Sequence, residues 1–398
     1  MRQLSDKLGK DPLLEEEKQT KQLGVYPYFR AISSDQDTEV DMNGKKVLMF
    51  GSNSYLGLTN HPKIKEASIE AIKKYGTGCA GSPFLNGYMD IHIELEHKIA
   101  EFVGKEKAIV YSTGFQSNLG ALSTVVGRGD YIICDERDHA SIVDGRRLSF
   151  ANQLKFKHND TNSLEDVLKK LPHNAIKLIV VDGVFSMEGD IAPLPKIVDL
   201  AEKYNGSVYV DEAHSLGVLG KGGRGVCNHF GLTDKVDIIM GTFSKSLAAI
   251  GGFVAADVVT MDYIRHHSRP YIFSASISPA ATASVLAALD LIEKEPQRID
   301  HLWEITNYAL NIFRSLNFEI GATETPIIPL YIRDMRKTFT ITKELLDNGI
   351  FVSPVIPPAC APEDTLIRFA LMATHTKEQV DRAADVITNI FRKYKVIE

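Results

Sequence analysis

The chain has 398 residues, of which 44% are hydrophobic and 24% charged, as in an ordinary globular enzyme with a large core. Its formal net charge of −6 argues against a nucleic-acid partner, which needs a basic face, and against strong electrostatic attachment to an anionic membrane. The four cysteines lie far apart and form no CxxC pair, so the sequence predicts neither a metal site nor a disulfide framework.

The N-terminal segment, residues 1–59, begins as a charged and irregular arm with one helical candidate at 13–23. Its opening residues lack the apolar core of a secretion signal, so we expect a cytoplasmic protein. A weak peripheral contact with the inner face of a membrane stays open, because a small apolar patch would not show in the overall composition.

Residues 60–295 are predicted to form a large domain with a mostly parallel sheet between helices. Short apolar runs alternate there with amphipathic stretches such as 163–171 and 195–203, which is typical of an α/β fold. The uncharged stretch 271–289 contains several hydroxyl residues and a proline, and it predicts a buried strand, a turn and a helix rather than a membrane span. The predicted strands of the sheet are 108–111, 131–134, 177–181, 207–210 and 237–240.

Residues 296–398 are predicted to form a smaller, C-terminal α+β domain. The order of elements changes there to helix, strand, helix, strand, helix, with strands at 325–331 and 366–371. No flexible linker separates the two predicted domains.

Two polar residues that follow buried strand-like runs indicate the chemistry. Lys245 stands among small hydroxyl residues, just after the run at 237–240, where partial burial favours the uncharged, nucleophilic amine. Asp211 ends the run at 207–210, and a carboxylate there can keep a pyridinium nitrogen protonated. Taken singly, the lysine is typical of a solvated loop and the aspartate of a helix cap. Together they indicate pyridoxal 5'-phosphate (PLP) as the cofactor.

The segments 211–217 (DEAHSLG) and 242–245 (TFSK) resemble the signature of the α-oxoamine synthases. These are fold-type I PLP enzymes that condense an amino acid with an acyl-CoA and release carbon dioxide. The resemblance extends from about residue 23 to the C-terminus. It implies the fold-type I PLP transferase architecture and catalytic roles for Lys245, His139 and Asp211.

A helix start is predicted at 112–115, directly after a strand, and its free amides and positive dipole end suit a phosphate group. Taken alone, the segment is an ordinary strand-to-helix turn. The family resemblance implies that it belongs to the cofactor site. The cofactor-binding residues implied in this way are Gly114, Phe115, Ser186, Asp211, His214, Thr242, Ser244, Lys245 and Ser274.

The resemblance also implies a substrate site. It places His139 flat against the cofactor ring, although a histidine at a strand-to-helix turn is also typical of a helix cap. Arg368 lies in an apolar strand-like run, where its planar guanidinium suits either an amino-acid carboxylate or a structural salt bridge. The implied substrate-binding residues are Asn53, Tyr55, Ser82, His139 and Arg368.

The segment 45–58 resembles the entry motif of the family, which places Asn53 and Tyr55 near the substrate. Two further segments, 75–87 and 351–359, most resemble the bacterial family members that join L-serine to a long-chain acyl-CoA, in particular palmitoyl-CoA. That reaction gives 3-ketosphinganine, CoA and carbon dioxide, and it is the first step of sphingolipid synthesis. Relatives that use glycine or alanine commonly have an arginine after the serine corresponding to Ser82. Here Pro83 stands in its place, so the substrate contact at this position stays open.

The family resemblance implies a homodimer with shared active sites, in which 271–276 reaches the phosphate of the neighbouring subunit and 78–82 lies at the same interface. Two alternatives to the serine-using enzyme remain. One is a sister enzyme that uses glycine or alanine. The other is a non-catalytic partner subunit, but such subunits lack the lysine that this chain has in Lys245.

Overall fold

The computed structural model of the chain describes residues 3–357 and 359–398, so Met1, Arg2 and Pro358 lie outside the described part. Its residues cluster in two compact units. The terminal unit contains the residues before Asn53 together with Glu304–Thr323 and Ile327–Glu398. The sheet unit contains Asn53–Trp303 and Glu324–Pro326. The domain boundaries after residues 59 and 295 stay a prediction.

Helices and strands alternate through most of the chain. The helices are α1 (Gln3–Leu8), α2 (Pro12–Gln22), α3 (Pro62–Tyr75), α4 (Asp90–Val103), α5 (Gly114–Val125), α6 (Ala140–Leu148), α7 (Thr161–Leu168), α8 (Leu194–Lys203), α9 (Val226–His229), α10 (Val258–His267), α11 (Arg269–Ile272), α12 (Pro279–Lys294), α13 (Gln297–Ser315), α14 (Met335–Asp347) and α15 (Lys377–Lys393). The strands are β1 (Glu39–Met42), β2 (Lys45–Met49), β3 (Lys107–Tyr111), β4 (Tyr131–Asp135), β5 (Asn152–Phe156), β6 (Lys177–Asp182), β7 (Ser207–Asp211), β8 (Ile238–Thr242), β9 (Gly252–Ala256), β10 (Ile327–Tyr331), β11 (Ile350–Phe351), β12 (Ser353–Val355) and β13 (Leu366–Ala370).

A seven-stranded sheet in the order β3-β9-β8-β7-β6-β4-β5 forms the centre of the sheet unit. The strands from β8 to β5 run parallel, and β9 runs antiparallel to both of its neighbours. Every residue of β6 is buried, as expected for a parallel sheet that is covered on both faces. The predicted α/β class and the five predicted strands are therefore confirmed, whereas β5 and β9 were not predicted.

Helices α5 and α6 pack against each other, and α5 also contacts β8 and β9. A hydrophobic cluster that includes Tyr111, Leu122, Ile132, Ile142 and Tyr209 fills this part of the sheet unit, and each of these side chains is at most 2% exposed. This packing fixes the beginning of α5 beside the end of β8, where the candidate site lies.

The stretch 271–289 differs in part from its prediction. Its predicted strand is wrong, because Arg269–Ile272 forms the short helix α11, in which the Phe273 amide donates to the Arg269 carbonyl at 3.0 Å. Pro270 suits the first turn of a helix, and a short apolar run does not by itself distinguish strand from helix. The predicted helix is confirmed as α12. Among the helices within residues 3–357 and 359–398, none has the length and apolar character needed to cross a membrane.

The terminal unit joins the two ends of the chain. Strand β11 pairs in parallel with β2, which also pairs with β1. Strands β10, β13 and β12 form a second, antiparallel sheet. The Phe50 ring stacks on Phe369 and on His375, with ring centroids 4.2 and 4.3 Å away, and burial lowers the pKa of His375 to about 3. Part of the N-terminal segment that was predicted to begin as an arm therefore forms strand β2, which pairs with the C-terminal strand β11.

Candidate active site

A cavity of about 340 Å³ lies at the carboxyl ends of the central strands, since the last residues of β6, β7 and β8 line it. This volume falls within the roughly 300–1,000 Å³ of small-molecule sites, and the carboxyl edge of a parallel sheet is their usual place. The cavity brings together predicted residues from four segments of the sheet unit. These residues are Gly114, Phe115, His139, Asp211, His214, Thr242, Ser244 and Lys245.

Asp211 is held in the cavity by two N–H donors. The Ala213 amide donates to its Oδ1 at 2.8 Å, and the Asn118 side-chain amide donates to its Oδ2 at 2.7 Å. The carboxyl group is buried, with Asp211 only 3% exposed. Both hydrogen bonds stabilise the charged form of the carboxylate in a place where water cannot.

Lys245 follows β8 in a tight turn and is half-buried where it lines the cavity. The turn is held by a bond from the Ala248 amide to the Lys245 carbonyl at 3.1 Å. Thr242 Oγ1 donates to the Gly251 carbonyl at 3.1 Å and lies 3.0 Å from Ser244 Oγ. Two hydroxyl groups and one amine therefore face the same space.

The first turn of α5 supplies unpaired backbone amides next to these hydroxyls. Thr113 caps the helix, with its Oγ1 accepting from the Gln116 amide at 3.1 Å. A Cβ atom at Gly114 would lie 2.6 Å from Thr242 Oγ1, so only glycine allows the helix start to approach Thr242 this closely. The amides, the helix dipole and the hydroxyls together suit an anionic group.

His139 is the N-cap of α6, which agrees with the helix-cap interpretation of this histidine. It also lines the cavity. Its Nδ1 accepts from the Ser141 amide at 3.2 Å and lies 2.7 Å from Ser141 Oγ. Burial lowers the pKa of His139, and the positive charge of Lys245 adds to this effect while Asp211 opposes it. The imidazole is therefore neutral, and because Nδ1 is the acceptor, its proton is on Nε2.

Tyr55 and His214 form a close pair beside the cavity. The Tyr55 hydroxyl lies 2.6 Å from His214 Nδ1, and Tyr55 is fully buried. The same hydroxyl lies 3.5 Å from Asn53 Oδ1. Two of the predicted substrate residues are thus connected to the cavity through His214.

The other predicted residues are placed elsewhere. Ser274 Oγ accepts from Gln116 Nε2 at 3.1 Å, near the start of α5. The buried Ser82 accepts from two amides of its own turn, at 3.0 Å each, through its carbonyl. Ser186 is half-buried in the segment after β6. Arg368 is buried on β13 of the terminal unit, between Pro329 of β10 and Ser353 of β12. Their roles stay predictions.

Four polar residues of the cavity were not among the predicted site residues: Thr113, Asn118, Ser141 and Asp182. Asp182 ends β6 as Asp211 ends β7, so the rule that selected Asp211 could also have selected Asp182. Asn118 lies one turn into α5, four residues after Gly114, on the face that the helix start directs to the sheet. Ser141 follows His139 in the first turn of α6 and has no distinguishing signal in the sequence.

The sheet, the lysine after β8 and the aspartate at the end of β7 define the class of protein. The chain belongs to the family described as aminotransferase class I and II, whose sequence profile matches residues 45–387. The predicted fold class and family resemblance are thereby confirmed.

Comparisons with individual proteins are more specific. A serine palmitoyltransferase of Bacteroides thetaiotaomicron is 63% identical over 369 residues, which are 93% of this chain and 94% of that protein. An 8-amino-7-oxononanoate synthase of Alkaliphilus metalliredigens is 45% identical over 379 residues, 95% of this chain and 96% of that protein. A solved structure of serine palmitoyltransferase from S. paucimobilis with a bound PLP–myriocin aldimine is 34% identical, with a TM-score of 0.96 over 99% of this chain and 100% of that one.

Proposed function

We propose that the chain is a PLP-dependent acyltransferase that condenses L-serine with a long-chain acyl-CoA, in particular palmitoyl-CoA. The products are 3-ketosphinganine, CoA and carbon dioxide, so the reaction begins sphingolipid synthesis. The observation that carries the proposal is that Lys245, Asp211 and His139 line one cavity. The 63% identity to a serine palmitoyltransferase supports serine over glycine or alanine as the amino acid.

The residues of the cavity fit PLP. The amides at Gly114, with the hydroxyls of Thr242 and Ser244, suit the phosphate, and a side chain at Gly114 would occupy this space. Asp211 suits the ring nitrogen, His214 the phenolic oxygen and Lys245 the aldehyde carbon. Bound there, PLP supplies an electron-withdrawing ring that stabilises negative charge on the Cα of an amino acid. Phe115, Ser186 and Ser274 complete the proposed cofactor site.

The protein side chains then have separate roles in the reaction. The Lys245 amine takes the proton from the Cα of serine and later returns a proton to the product, as a general base and acid. The Nε2–H of His139 donates to an oxygen of the serine carboxylate or of the acyl thioester. Arg368 is the alternative partner for the serine carboxylate, and Asn53, Tyr55 and Ser82 belong to the proposed substrate site.

The test is a substrate panel with purified, PLP-loaded protein. Serine, glycine and alanine are each combined with acyl-CoAs of short, medium and long chain, and the ketone product is identified by mass spectrometry. We expect 3-ketosphinganine from serine and palmitoyl-CoA and little product from the other amino acids. A preference for glycine or alanine would show a sister enzyme, and no product with any pair would favour the non-catalytic subunit.

We also propose a homodimer with each active site built from both chains. Large apolar side chains are exposed on the sheet unit near the predicted interface segments, among them Leu85 at 81% and Phe273 at 73%. Apolar exposure of this kind is typical of a surface that another chain covers, and one self-complementary patch gives a closed dimer.

Mixing two inactive variants tests the shared site. A heterodimer of Lys245→Ala and Ser274→Trp chains has one site with both residues intact, so part of the activity should return. Full activity from a protein that light scattering shows to be a monomer would contradict the proposal.

The proposed location is the cytoplasm. Its support is that no disulfide joins Cys79, Cys134, Cys227 and Cys360 in the described part of the chain, as expected in a reducing compartment. Cell fractionation tests this location and the weak peripheral membrane contact together, since a salt wash releases a peripheral protein from the membrane pellet.

A further inference from the structure

Asn118 lines the cavity and contacts three other buried side chains. It is fully buried, as are Tyr209 and, to within 3% exposure, Ser141 and Asp211. Tyr209 and Asp211 are two residues apart on β7, so their side chains point to the same face of the sheet. Asn118 of helix α5 contacts both side chains.

The Asn118 side chain makes three hydrogen bonds to buried groups. Its Nδ2 donates to Asp211 Oδ2 at 2.7 Å and to Ser141 Oγ at 2.8 Å. Its Oδ1 accepts from the Tyr209 hydroxyl at 2.7 Å. Both N–H donors and the carbonyl oxygen of the Asn118 side chain are therefore hydrogen-bonded.

These bonds fix which way the amide faces. The charged Asp211 carboxylate can only accept, so it selects the NH₂ end of the amide. The Tyr209 hydroxyl then has the carbonyl as its acceptor on the opposite side. Ser141 Oγ, which accepts from Asn118, has its own proton free to donate to His139 Nδ1. Asn118 thus connects the group proposed for the ring nitrogen with the group proposed for the ring face.

We propose that Asn118 is a positioning residue that holds Asp211 as the charged, correctly oriented partner of the cofactor's ring nitrogen. The inference rests on the proposed function only in that PLP occupies the cavity. A hydrogen bond to a buried carboxylate stabilises its charged form, so losing the Asn118 donor makes Asp211 compete more strongly for the proton on the ring nitrogen.

The experiment uses the full chain loaded with PLP that carries ¹⁵N in its ring. The ¹⁵N chemical shift of the ring nitrogen reports directly whether that nitrogen is protonated. In Asn118→Leu the signal should move from the protonated toward the unprotonated range, and the dissociation constant for PLP should rise roughly 10-fold or more. Asn118→Ala gives the same test without added bulk if the leucine variant folds poorly.

Tyr209→Phe is the matched control, because it removes the donor to the carbonyl end of the same amide and leaves the bond to Asp211. Its ring-nitrogen shift should equal that of the wild type, and its PLP affinity should stay within about threefold. A wild-type shift in a folded Asn118 variant overturns the proposal, as does an equal change in Tyr209→Phe.

Neither measurement needs serine or an acyl-CoA. A protein that binds PLP but condenses no serine would therefore contradict the proposed reaction and leave this test intact.

Discussion

Asp182 and Asp211 are direct register partners at the ends of the parallel strands β6 and β7, and both carboxyl groups line one cavity. Asp211 accepts two N–H bonds, from Ala213 and Asn118, whereas Asp182 Oδ2 accepts the His139 amide at 2.7 Å. Burial, and then the charge of Asp211, raise the pKa of Asp182 well above its ordinary value. Asp182 therefore holds its proton more tightly than an exposed aspartate would, whereas the Asp211 carboxylate faces two N–H donors.

This difference predicts opposite outcomes for the same substitution at the two positions. Asp182→Asn keeps the shape of the side chain and an oxygen that can still accept the His139 amide, so turnover should stay within about threefold of the wild type. Asp211→Asn should still bind PLP but lose most of its turnover, since an amide cannot hold the proton of the ring nitrogen. Steady-state kinetics of both variants give the comparison. Equal losses of turnover in the two variants would show that Asp182 and Asp211 do not have these different roles.

Lys245→Ala should abolish condensation and leave the fold intact, because no neighbouring group supplies both the amine and the proton transfer. The loss in kcat should be roughly 10²–10⁴-fold or more, the usual contribution of a positioned proton-transfer group. Circular dichroism and the product assay measure fold and turnover.

Lys221→Ala is the control for the lysine, since Lys221 is exposed in the same unit. It should behave as the wild type. A Lys245→Ala protein that still formed product at the wild-type rate would refute the assignment of the catalytic amine.

His139→Ala should reduce condensation more than serine binding. Ser141 holds the neutral imidazole at Nδ1, and Asp182 accepts from the backbone amide of the same residue, so that Nε2–H can orient the substrate. Orientation acts on kcat more than on affinity. Serine binding is measured by the change in cofactor absorbance, and kcat by product formation. His173→Ala, at an exposed position, is the control. An unchanged kcat in His139→Ala would show that His139 only caps its helix.

The sequence predicted the parts of the site that depend on strand ends. Asp211 and Lys245 each follow an apolar run. Because parallel strands place their carboxyl ends at one edge of the sheet, the sequence alone predicts that these two residues lie close together. The contact of Tyr55 with His214 joins residues far apart along the chain, and no local pattern contains it. Asn118 was missed for the same reason, because its role depends on its contacts with Tyr209 and Asp211.

Strand pairing in the fold was likewise not contained in local sequence patterns. Strand β9, Gly252–Ala256, follows a glycine-rich turn and is short, and it runs against the direction of the strands beside it. The pairing of β2 with β11 joins the two ends of the chain, so the arm predicted from charge and irregularity proved to contain strands. The spacing of apolar residues predicts individual helices and strands, whereas the pairing of strands far apart in the sequence depends on tertiary packing.

His158 gives a pH test of stability that is separate from the reaction. Its Nδ1 lies 3.1 Å from Asp135 Oδ1 and its Nε2 lies 2.9 Å from Asp190 Oδ2, with the side chain 14% exposed. Burial alone would lower its pKa, but the hydrogen bonds and charges of the two carboxylates outweigh burial and raise the pKa of His158 from 6.5 to about 9. The folded state therefore binds a proton that the unfolded state releases between these two values.

The direction of the pH dependence of stability follows from this difference in pKa. A raised folded-state pKa stabilises the protein fully below the unfolded value of about 6.5, and the stabilisation is lost as pH rises through about 9. His158→Gln removes it, so the variant should lose up to about 3 kcal/mol of unfolding free energy near pH 6 and much less above about pH 9.5. Urea unfolding of both proteins at the two pH values measures this, with His173→Gln as an exposed control. A loss that is the same at both pH values would show that His158 contributes by packing and not by its charge.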